Sequence, residues 1–169
     1  MYTGLRLGEL LGLQWQDVSF DEGVLHVRRQ ATRGGELTPS KTAAGLRRVP
    51  LAQELVKTLR EHRLASRFSQ DGDLVFSSKT GGPLGHRNVQ RRGFEPARDL
   101  AELDSSLTFH DLRHAFASFA AHRGVPVKML SEVLGHSDVG VTMKVYLHLF
   151  ERGESEDAFR KAMSAQVPS

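Results

Sequence analysis

The sequence predicts an α+β domain that is mostly helical, with a small three-stranded antiparallel sheet near the N-terminus. Two observations predict this class. Short runs that favour strands, bounded by turn residues, occur between positions 24 and 49, whereas apolar residues at helical spacing dominate after position 51. The length of 169 residues suits one domain, and 39% hydrophobic with 25% charged residues is ordinary for a globular protein.

The N-terminal third is predicted to combine one short helix with the strands. Leucines at helical spacing indicate a helix over residues 5–13, in which Arg6 and Glu9 share a face. Strands are predicted at residues 24–28, 36–38 and 46–49, and residues 41–45 are expected to form a hairpin tip. Because the connections are short, we expect one antiparallel sheet of three strands.

Helices are predicted for most of the chain after Pro50, at residues 51–66, 86–103, 109–123, 126–134, 138–150 and 154–166. Thr108 is a candidate N-cap for the third of them, and Gly124 is expected to end it. An apolar stripe at helical spacing in this helix is expected to face the core, and it comprises Leu112, Ala115, Phe116, Phe119 and Ala120.

The composition excludes several classes of site. The chain has no cysteine, which excludes disulfides, cysteine-ligated zinc and thiol nucleophiles. A cytoplasmic location is the simplest interpretation of that absence. The formal net charge of +3 permits a nucleic-acid partner without arguing strongly for one. No apolar run approaches the roughly 20 residues that a membrane-spanning helix needs.

A set of six polar residues suggests an anionic substrate: Arg6, Lys41, His110, Arg113, His136 and Tyr146. His110 and Arg113 lie three residues apart, so we expect them on one helix face, opposite the apolar stripe. His136 is predicted at a turn and Tyr146 on the helix that follows. The set is rich in cations and contains neither an acidic pair nor a group of metal ligands.

Four segments of the chain resemble the motifs of the tyrosine recombinases of the phage integrase and Xer type. They follow the family's order and run from Thr3 to about Leu149. They are Thr3–Leu11 for the first arginine box, Pro39–Leu51 for the lysine hairpin, Phe109–Ser118 for the His-x-x-Arg box, and Leu134–Tyr146 for the closing histidine and tyrosine.

The resemblance implies the fold of the DNA breaking–rejoining catalytic domain and the activity of a site-specific DNA recombinase or integrase. In such enzymes a tyrosine attacks a DNA phosphate, forms a 3′-phosphotyrosyl link and frees a 5′-hydroxyl. Tyr146 would be that nucleophile, and Arg6 and Arg113 would bind the phosphate oxygens. No metal, nucleotide or other cofactor is implied.

The remaining three residues are expected to transfer protons or to bind the phosphate. His110 would accept the proton of the Tyr146 hydroxyl, and His136 would donate a hydrogen bond to the phosphate. Lys41 would protonate the departing 5′-oxygen as general acid. Arg47, Arg48 and Lys57 are the alternatives for this role, because they are other cations near Lys41 in the sequence.

The resemblance also implies partners and a domain arrangement. The partner would be double-stranded DNA, on which the protein would self-associate into a tetramer. The C-terminal helix at 154–166 would dock on a neighbouring copy, with packing against its own chain as the alternative. Residues 1–169 would form one catalytic domain, with the N-terminal core-binding domain and the start of the catalytic domain absent. We therefore expect weak or no recombination by this chain alone, and exposed apolar surface near Leu5 and Leu10.

Several alternatives stay open on the sequence. The enzyme could be a type IB topoisomerase, which shares this chemistry, or the chain could be a non-catalytic DNA-binding remnant. Viewed singly, Arg6 would pair with Glu9 on the helix surface, and Tyr146 would pack in the core. His110 and His114 have a spacing that suits two zinc ligands, although Asp111 stands where metalloproteases have glutamate. Candidate contacts to the DNA backbone, with a solvated face as the alternative for each, are Arg28, Arg29, Arg33, Arg87, Arg91 and Arg92.

Overall fold

A computed structural model describes residues 2–40 and 43–150. Its strands are β1 (Val18–Ser19), β2 (Val24–Val27), β3 (Arg29–Ala31), β4 (Leu37–Pro39) and β5 (Arg47–Pro50). Its α-helices are α1 (Leu7–Leu11), α2 (Gln53–Ala65), α3 (His86–Val89), α4 (Glu95–Leu100), α5 (Phe109–His122), α6 (Val127–Leu134) and α7 (Val139–Phe150). The helix predicted at 154–166 and the hairpin residue Lys41 lie outside the described residues.

The predicted three-stranded antiparallel sheet is present, but with different strands. Its order is β1-β2-β5, with Leu25 of β2 opposite both Val18 and Val49. All three of these side chains are buried. The strand predicted at 36–38 instead pairs as β4 with β3 in a separate two-stranded ribbon. β4 is mostly exposed. It therefore has no apolar face to bury, which is what fixes a strand within a sheet that covers a core.

The first hydrophobic core lies between the sheet and α2. Trp15, in a 3₁₀ turn after α1, is completely buried, and its indole N–H donates to the carbonyl of Phe68 at 2.9 Å. Val56 and Leu59 of α2 are buried, and Leu59 packs in this core. Leu5 is also buried in this core and Leu10 packs against it, so the expectation of exposed apolar surface near them is wrong.

The helix predicted at 86–103 is present over residues 86–100, with one irregular turn. α3 continues through a π-helical turn over Gln90–Phe94 into α4, which ends at Leu100. Pro96 stands at the start of α4, where its missing N–H removes one donor of the regular helical ladder. The irregular turn therefore lies next to the residue that a regular helix accommodates least well.

Helix α5 begins where predicted but buries a different face. The backbone N–H and the hydroxyl of Thr108 both donate to the Asp111 carboxylate, at 2.8 and 2.7 Å. The predicted stripe is wrong in part, since Phe119 is 58% exposed and lies against the guanidinium of Arg123. Ala120 of that stripe is buried, and the other buried side chains of α5 are Arg113, Ala117 and Ala121. Arg113 therefore does not lie on the face opposite to the buried one, where it was expected.

The second core joins α5, α6 and α7. Leu130 and Leu134 of α6 are each 1% exposed and pack with the alanines of α5 and with Tyr146. α6 ends at Gly135, whose φ of +67° is left-handed. A Cβ there would lie 2.8 Å from the Arg47 guanidinium and 2.9 Å from the carbonyl oxygen of Ala44. Glycine is thus required both for the conformation and for the close approach of β5.

None of the helices within residues 2–40 and 43–150 has the length and apolar character needed to span a membrane.

Gly135→Ala is expected to destabilise the domain more than Gly124→Ala. Both glycines have positive φ, which costs a residue with a Cβ about 1–2 kcal/mol. A Cβ at Gly124 would meet no atom within 4 Å, whereas one at Gly135 would displace Arg47. Urea denaturation of both variants measures the difference. Equal losses of unfolding free energy would contradict the proposed close packing at Gly135.

Candidate active site

A groove of about 870 Å³ brings together four of the six predicted site residues: Arg6, His110, Arg113 and His136. They come from the chain start, from α5 and from the link between α6 and α7. A recess of about 520 Å³ adjoins it, shares Arg6, His110 and Arg113, and is also lined by Arg33, Arg87 and Arg91. The two cavities form one cation-lined surface, as expected for an anionic substrate.

Arg113 is buried because backbone carbonyls accept its guanidinium N–H groups. One Nη donates to Gly4 O at 2.6 Å and the other to Leu134 O. The side chain is 5% exposed yet lines both cavities. Burial, followed by the charge of Arg6, lowers the pKa of Arg113 to about 10, so it stays cationic at neutral pH. These bonds explain why α5 turns a charged residue inward.

Arg6 is held in the groove by Glu9 and by the end of α6. Its Nη1 donates to the Glu9 carboxylate at 2.9 Å, and its Nη2 donates to Gly135 O at 3.2 Å. Arg6 keeps 42% of its side chain exposed, whereas Glu9 keeps 5%. The pair is therefore not an ordinary surface ion pair. Glu9 accepts hydrogen bonds from both the backbone and the side chain of Arg6 and so limits the orientations of its guanidinium group.

The cations considered as alternatives to Lys41 are all engaged elsewhere. Arg47 makes two hydrogen bonds to Glu9, at 2.9 and 2.8 Å, and its side chain is only 5% exposed. Arg48 pairs with Glu22 on the surface. Lys57 lies 4.0 Å from Glu61 in the next turn of α2. Lys41 itself is outside the described residues, so its assignment stays a prediction.

His136 is oriented by a buried hydroxyl. Its Nδ1 lies 2.8 Å from the Thr142 Oγ1, and Thr142 is completely buried in α7. Burial, followed by the charges of Arg113 and Arg6, lowers the pKa of His136 to about 4. His136 is therefore neutral at physiological pH and keeps one N–H donor, with its tautomer set by Thr142.

His110 lies at the exposed start of α5. Burial of part of the ring, followed by the charges of His114 and Arg113, lowers the pKa of His110, so it too favours the neutral form. Its ring meets that of His114 edge-on, with 4.7 Å between centroids. Among residues 2–40 and 43–150, no group of three or more histidines and carboxylates could hold a metal ion, so nothing there adds a third ligand to this pair.

Tyr146 is not brought into the groove. Its hydroxyl donates to the backbone carbonyl of Val125, beyond the end of α5. The ring is buried among the side chains of the second core, and burial raises the pKa of its phenol. The residues of α7 that line the groove are Val141, Lys144 and Val145. In this state Tyr146 has the core packing that it would have as a structural tyrosine.

The six candidate DNA-backbone contacts divide into groups. Arg28 and Arg29 pair with the buried carboxylate of Asp17, so part of their charge is used inside the fold. Arg33, Arg87 and Arg91 line the recess beside the groove, and Arg92 is exposed next to them. The second group extends the cationic surface of the groove.

Thr142 and Arg47 lie within two of the family motifs, but nothing in the sequence indicates their contacts in the site. The contact of Thr142 with His136 spans six positions, which no simple helical spacing indicates. Arg47 is one of several cations near Lys41 in the sequence. The signal for it would have been Glu9, a carboxylate in an otherwise apolar helix that needs a counter-charge when buried.

The sequence model of the phage integrase family matches residues 1–152. The chain belongs to the phage integrase family. Relatives of this family member include a protein named tyrosine recombinase XerC-like from Caldanaerobacter subterraneus subsp. tengcongensis, 32% identical over 89% of this chain and 44% of the relative. The integrase of Staphylococcus phage L54a is 28% identical over 91% of this chain and 47% of its own length. The chain thus spans about half the length of the curated relatives it matches.

Solved structures of similar fold agree with this membership. The Tn1549 transposon integrase, solved in complex with circular intermediate DNA, superimposes with a TM-score of 0.80 at 24% identity, over 98% of this chain and 57% of that one. The crystal structure of XerA recombinase gives a TM-score of 0.68 at 27% identity, over 99% and 55%. The fold of this integrase-family chain is therefore that of the recombinase catalytic domain, as the resemblance implied.

The stability of the domain is expected to fall as the pH is lowered from 6.5 towards 4. Since the pKa of His136 is about 4 in the folded state against an ordinary 6.5, the unfolded state binds the proton more tightly, and acid favours unfolding in this window. Urea denaturation at several pH values measures the slope. We expect His136→Gln to reduce it and His122→Gln, at an exposed position, to leave it unchanged. An unchanged slope in His136→Gln would contradict the low pKa.

Proposed function

We propose that this chain is the catalytic part of a site-specific DNA recombinase that cuts and rejoins a strand through a 3′-phosphotyrosyl intermediate. The observation that carries the proposal is the convergence of Arg6, Arg113, His110 and His136 on one groove. Guanidinium groups match the nonbridging oxygens of a phosphodiester, whose negative charge increases in the transition state. Membership of the phage integrase family supports this reaction over other uses of a cationic groove.

The two arginines, which bind adjacent carbonyls at the end of α6, would both bind the scissile phosphate. Two of the five N–H donors of Arg113 are committed to backbone carbonyls, which fixes the plane of its guanidinium before substrate arrives. Arg6 is the more accessible of the two, and its contact to Gly135 O is the longer one. A phosphate oxygen could therefore replace that carbonyl as the acceptor without disturbing the pair with Glu9.

His136 and His110 would act as neutral groups. If the Thr142 hydroxyl donates to Nδ1 of His136, the Nε2–H remains as a donor for a phosphate oxygen. A neutral His110 can accept the proton of the Tyr146 phenol. Lys41 would protonate the departing 5′-oxygen, a role that rests on its motif. The residues we assign to the reaction are Arg6, Lys41, His110, Arg113, His136 and Tyr146.

The proposed reaction requires Tyr146 to move. Its hydroxyl has to leave the carbonyl of Val125 and enter the groove lined by its helix neighbours Lys144 and Val145. Transfer into a cationic surround would also oppose the pKa increase that burial imposes on the phenol. We infer that the structure represents an uncommitted state and that binding of the DNA partner favours the exposed position of the tyrosine.

Double-stranded DNA is the proposed partner. The recess with Arg33, Arg87 and Arg91 continues the groove away from His136, so neighbouring phosphates of the same duplex would lie along it. The solved Tn1549 transposon integrase of similar fold was captured with circular intermediate DNA. The proposal extends that partner class to this chain.

Covalent trapping on a suicide substrate tests the proposal. The substrate is a candidate attachment site nicked next to the cleavage position, so that the freed fragment diffuses away and the protein–DNA link accumulates. We expect an adduct with the wild type and none with Tyr146→Phe. The matched control is Tyr2→Phe, which removes the chain's other tyrosine at a 67% exposed position and should still form the adduct. Arg6→Gln should slow adduct formation by about 10²–10³-fold.

The outcomes separate the rival functions. An adduct that survives Tyr146→Phe would overturn the nucleophile, and no adduct with any site would favour the non-catalytic DNA-binding remnant. Relaxation of supercoiled plasmid without sequence preference would favour a type IB topoisomerase.

We also propose self-association on DNA through the C-terminal segment, with the helix predicted at 154–166 docking on a neighbouring copy. The exposed apolar side chains Val139, Met143 and Leu147 lie four residues apart on one face of α7 and supply surface that such a helix can cover. Deleting the residues after Gly153 is expected to abolish multimeric complexes on DNA, measured by gel-shift stoichiometry, while single-copy binding persists. Multimers that form normally without the segment would contradict docking in trans.

A further inference from the structure

The carboxyl end of α6 binds three arginines from three separate parts of the chain. Three consecutive backbone carbonyls each accept from a different guanidinium: Val133 O from Arg47 at 2.7 Å, Leu134 O from Arg113, and Gly135 O from Arg6 at 3.2 Å. The last carbonyls of a helix lack partners within the helix and carry its negative dipole end, so cations there are stabilised. This one helix end therefore collects both of the arginines that we assign to phosphate binding, together with a third.

Glu9 is the only carboxylate among the described partners of this cluster, and it serves two arginines at once. Its Oε1 accepts from Arg6 Nη1 and Arg47 Nη1, both at 2.9 Å. Its Oε2 accepts from the Arg6 backbone N–H and from Arg47 Nη2, both at 2.8 Å. Arg47 thus makes a two-bond pair with the carboxylate, while the Arg6 side chain makes one bond to it.

The difference in exposure separates the roles of these two arginines. The side chain of Arg47 is 5% exposed, the same as Glu9, whereas that of Arg6 is 42% exposed. Arg47 uses its Nε on Val133 O and both Nη groups on Glu9, so it presents nothing to a ligand in the groove. A buried carboxylate facing a single exposed arginine would cancel that arginine's charge. With Arg47 present, the charge of Glu9 is already balanced.

We propose that Arg47 is a positioning residue for Arg6: it neutralises Glu9, so that Glu9 can orient Arg6 without cancelling the positive charge that Arg6 offers to a phosphate. The inference rests on the proposed function for the identity of that phosphate. It goes beyond it by assigning a role to a residue that cannot reach the DNA.

The protonation state of Glu9 agrees with this role. Burial would raise the pKa of the Glu9 carboxyl, but the hydrogen bonds and charge of Arg47, with those of Arg6, lower it below its ordinary value. Arg113 adds a third positive charge close by. Glu9 therefore stays ionised, and the net charge of the four groups is two positive units, matching the two arginines that line the groove.

Arg47→Met and Arg47→Lys test the inference, with Arg48→Met as the matched control. Arg48 is the neighbour of Arg47 on β5, but it is exposed and pairs with Glu22. The first measurement is titration of each protein with inorganic phosphate, followed by the NMR signals of the His110 and His136 rings. The second is the single-turnover rate of adduct formation on the suicide substrate at saturating and limiting DNA.

For Arg47→Met we expect phosphate affinity and the adduct rate at saturating DNA each to fall at least about tenfold, because Arg6 loses its available charge. The DNA concentration for half-saturation should change less than about threefold, since Arg47 does not contact DNA. A merely structural defect would also weaken DNA binding, whereas the loss expected here is confined to the adduct rate and the affinity for phosphate. Arg47→Lys keeps the charge and should lie between Arg47→Met and the wild type.

The double variant Glu9→Gln/Arg47→Met removes both charges together. Because no carboxylate then cancels the charge of Arg6, the double variant should bind phosphate more tightly than Arg47→Met does. If Arg47→Met does not fold, as judged by circular dichroism, Arg47→Lys decides the question.

The two hypotheses fail in different ways. Wild-type phosphate affinity and a wild-type adduct rate in Arg47→Met would overturn the positioning role and leave the recombinase proposal intact. Where Arg47→Met is unfolded, wild-type values of both quantities in Arg47→Lys would do the same. No phosphate binding by the wild type would also overturn the positioning role. If phosphate binding depends on Arg47 but no adduct forms through Tyr146, the positioning role is supported and the proposed reaction is wrong.

Discussion

The hydrogen bonds between arginine side chains and the last carbonyls of α6 are the interaction on which the site depends. They join the chain start, β5 and α5 at a helix end whose polar groups would otherwise lack partners. Because the acceptors belong to the backbone, the guanidinium groups are placed before any substrate arrives. Gly135 follows directly in a left-handed conformation and turns the chain so that His136 enters the same groove.

The site residues therefore differ in whether they already lie in the groove. Arg6, Arg113 and His136 have fixed partners and neutral or cationic states suited to a phosphodiester. Tyr146 lies outside the groove, since its ring contributes to the second core and its hydroxyl donates to a backbone carbonyl. In the mechanism we propose, the groove recognises the phosphate first and the nucleophile follows, which ties strand cleavage to a conformational change in α7.

Much of this arrangement was predictable from the sequence, for reasons that differ between residues. The motif order placed Arg6, His110, Arg113 and His136 in one site, and the Thr108–Asp111 cap and the Gly135 terminus follow from local preferences. The buried face of α5 did not follow, because Arg113 is buried by carbonyls 109 and 21 residues away in the chain. The roles of Arg47 and Thr142 and the sheet position of β4 likewise depend on contacts that no local spacing encodes.

The hydrogen-bond partner of the Tyr146 hydroxyl determines which substitutions would disturb the position of this tyrosine. The acceptor is the main-chain oxygen of Val125, and every residue type supplies one. A substitution at position 125 can thus change the side chain while the hydrogen bond to Tyr146 is retained. The position of the tyrosine hydroxyl therefore does not depend on which residue type stands there.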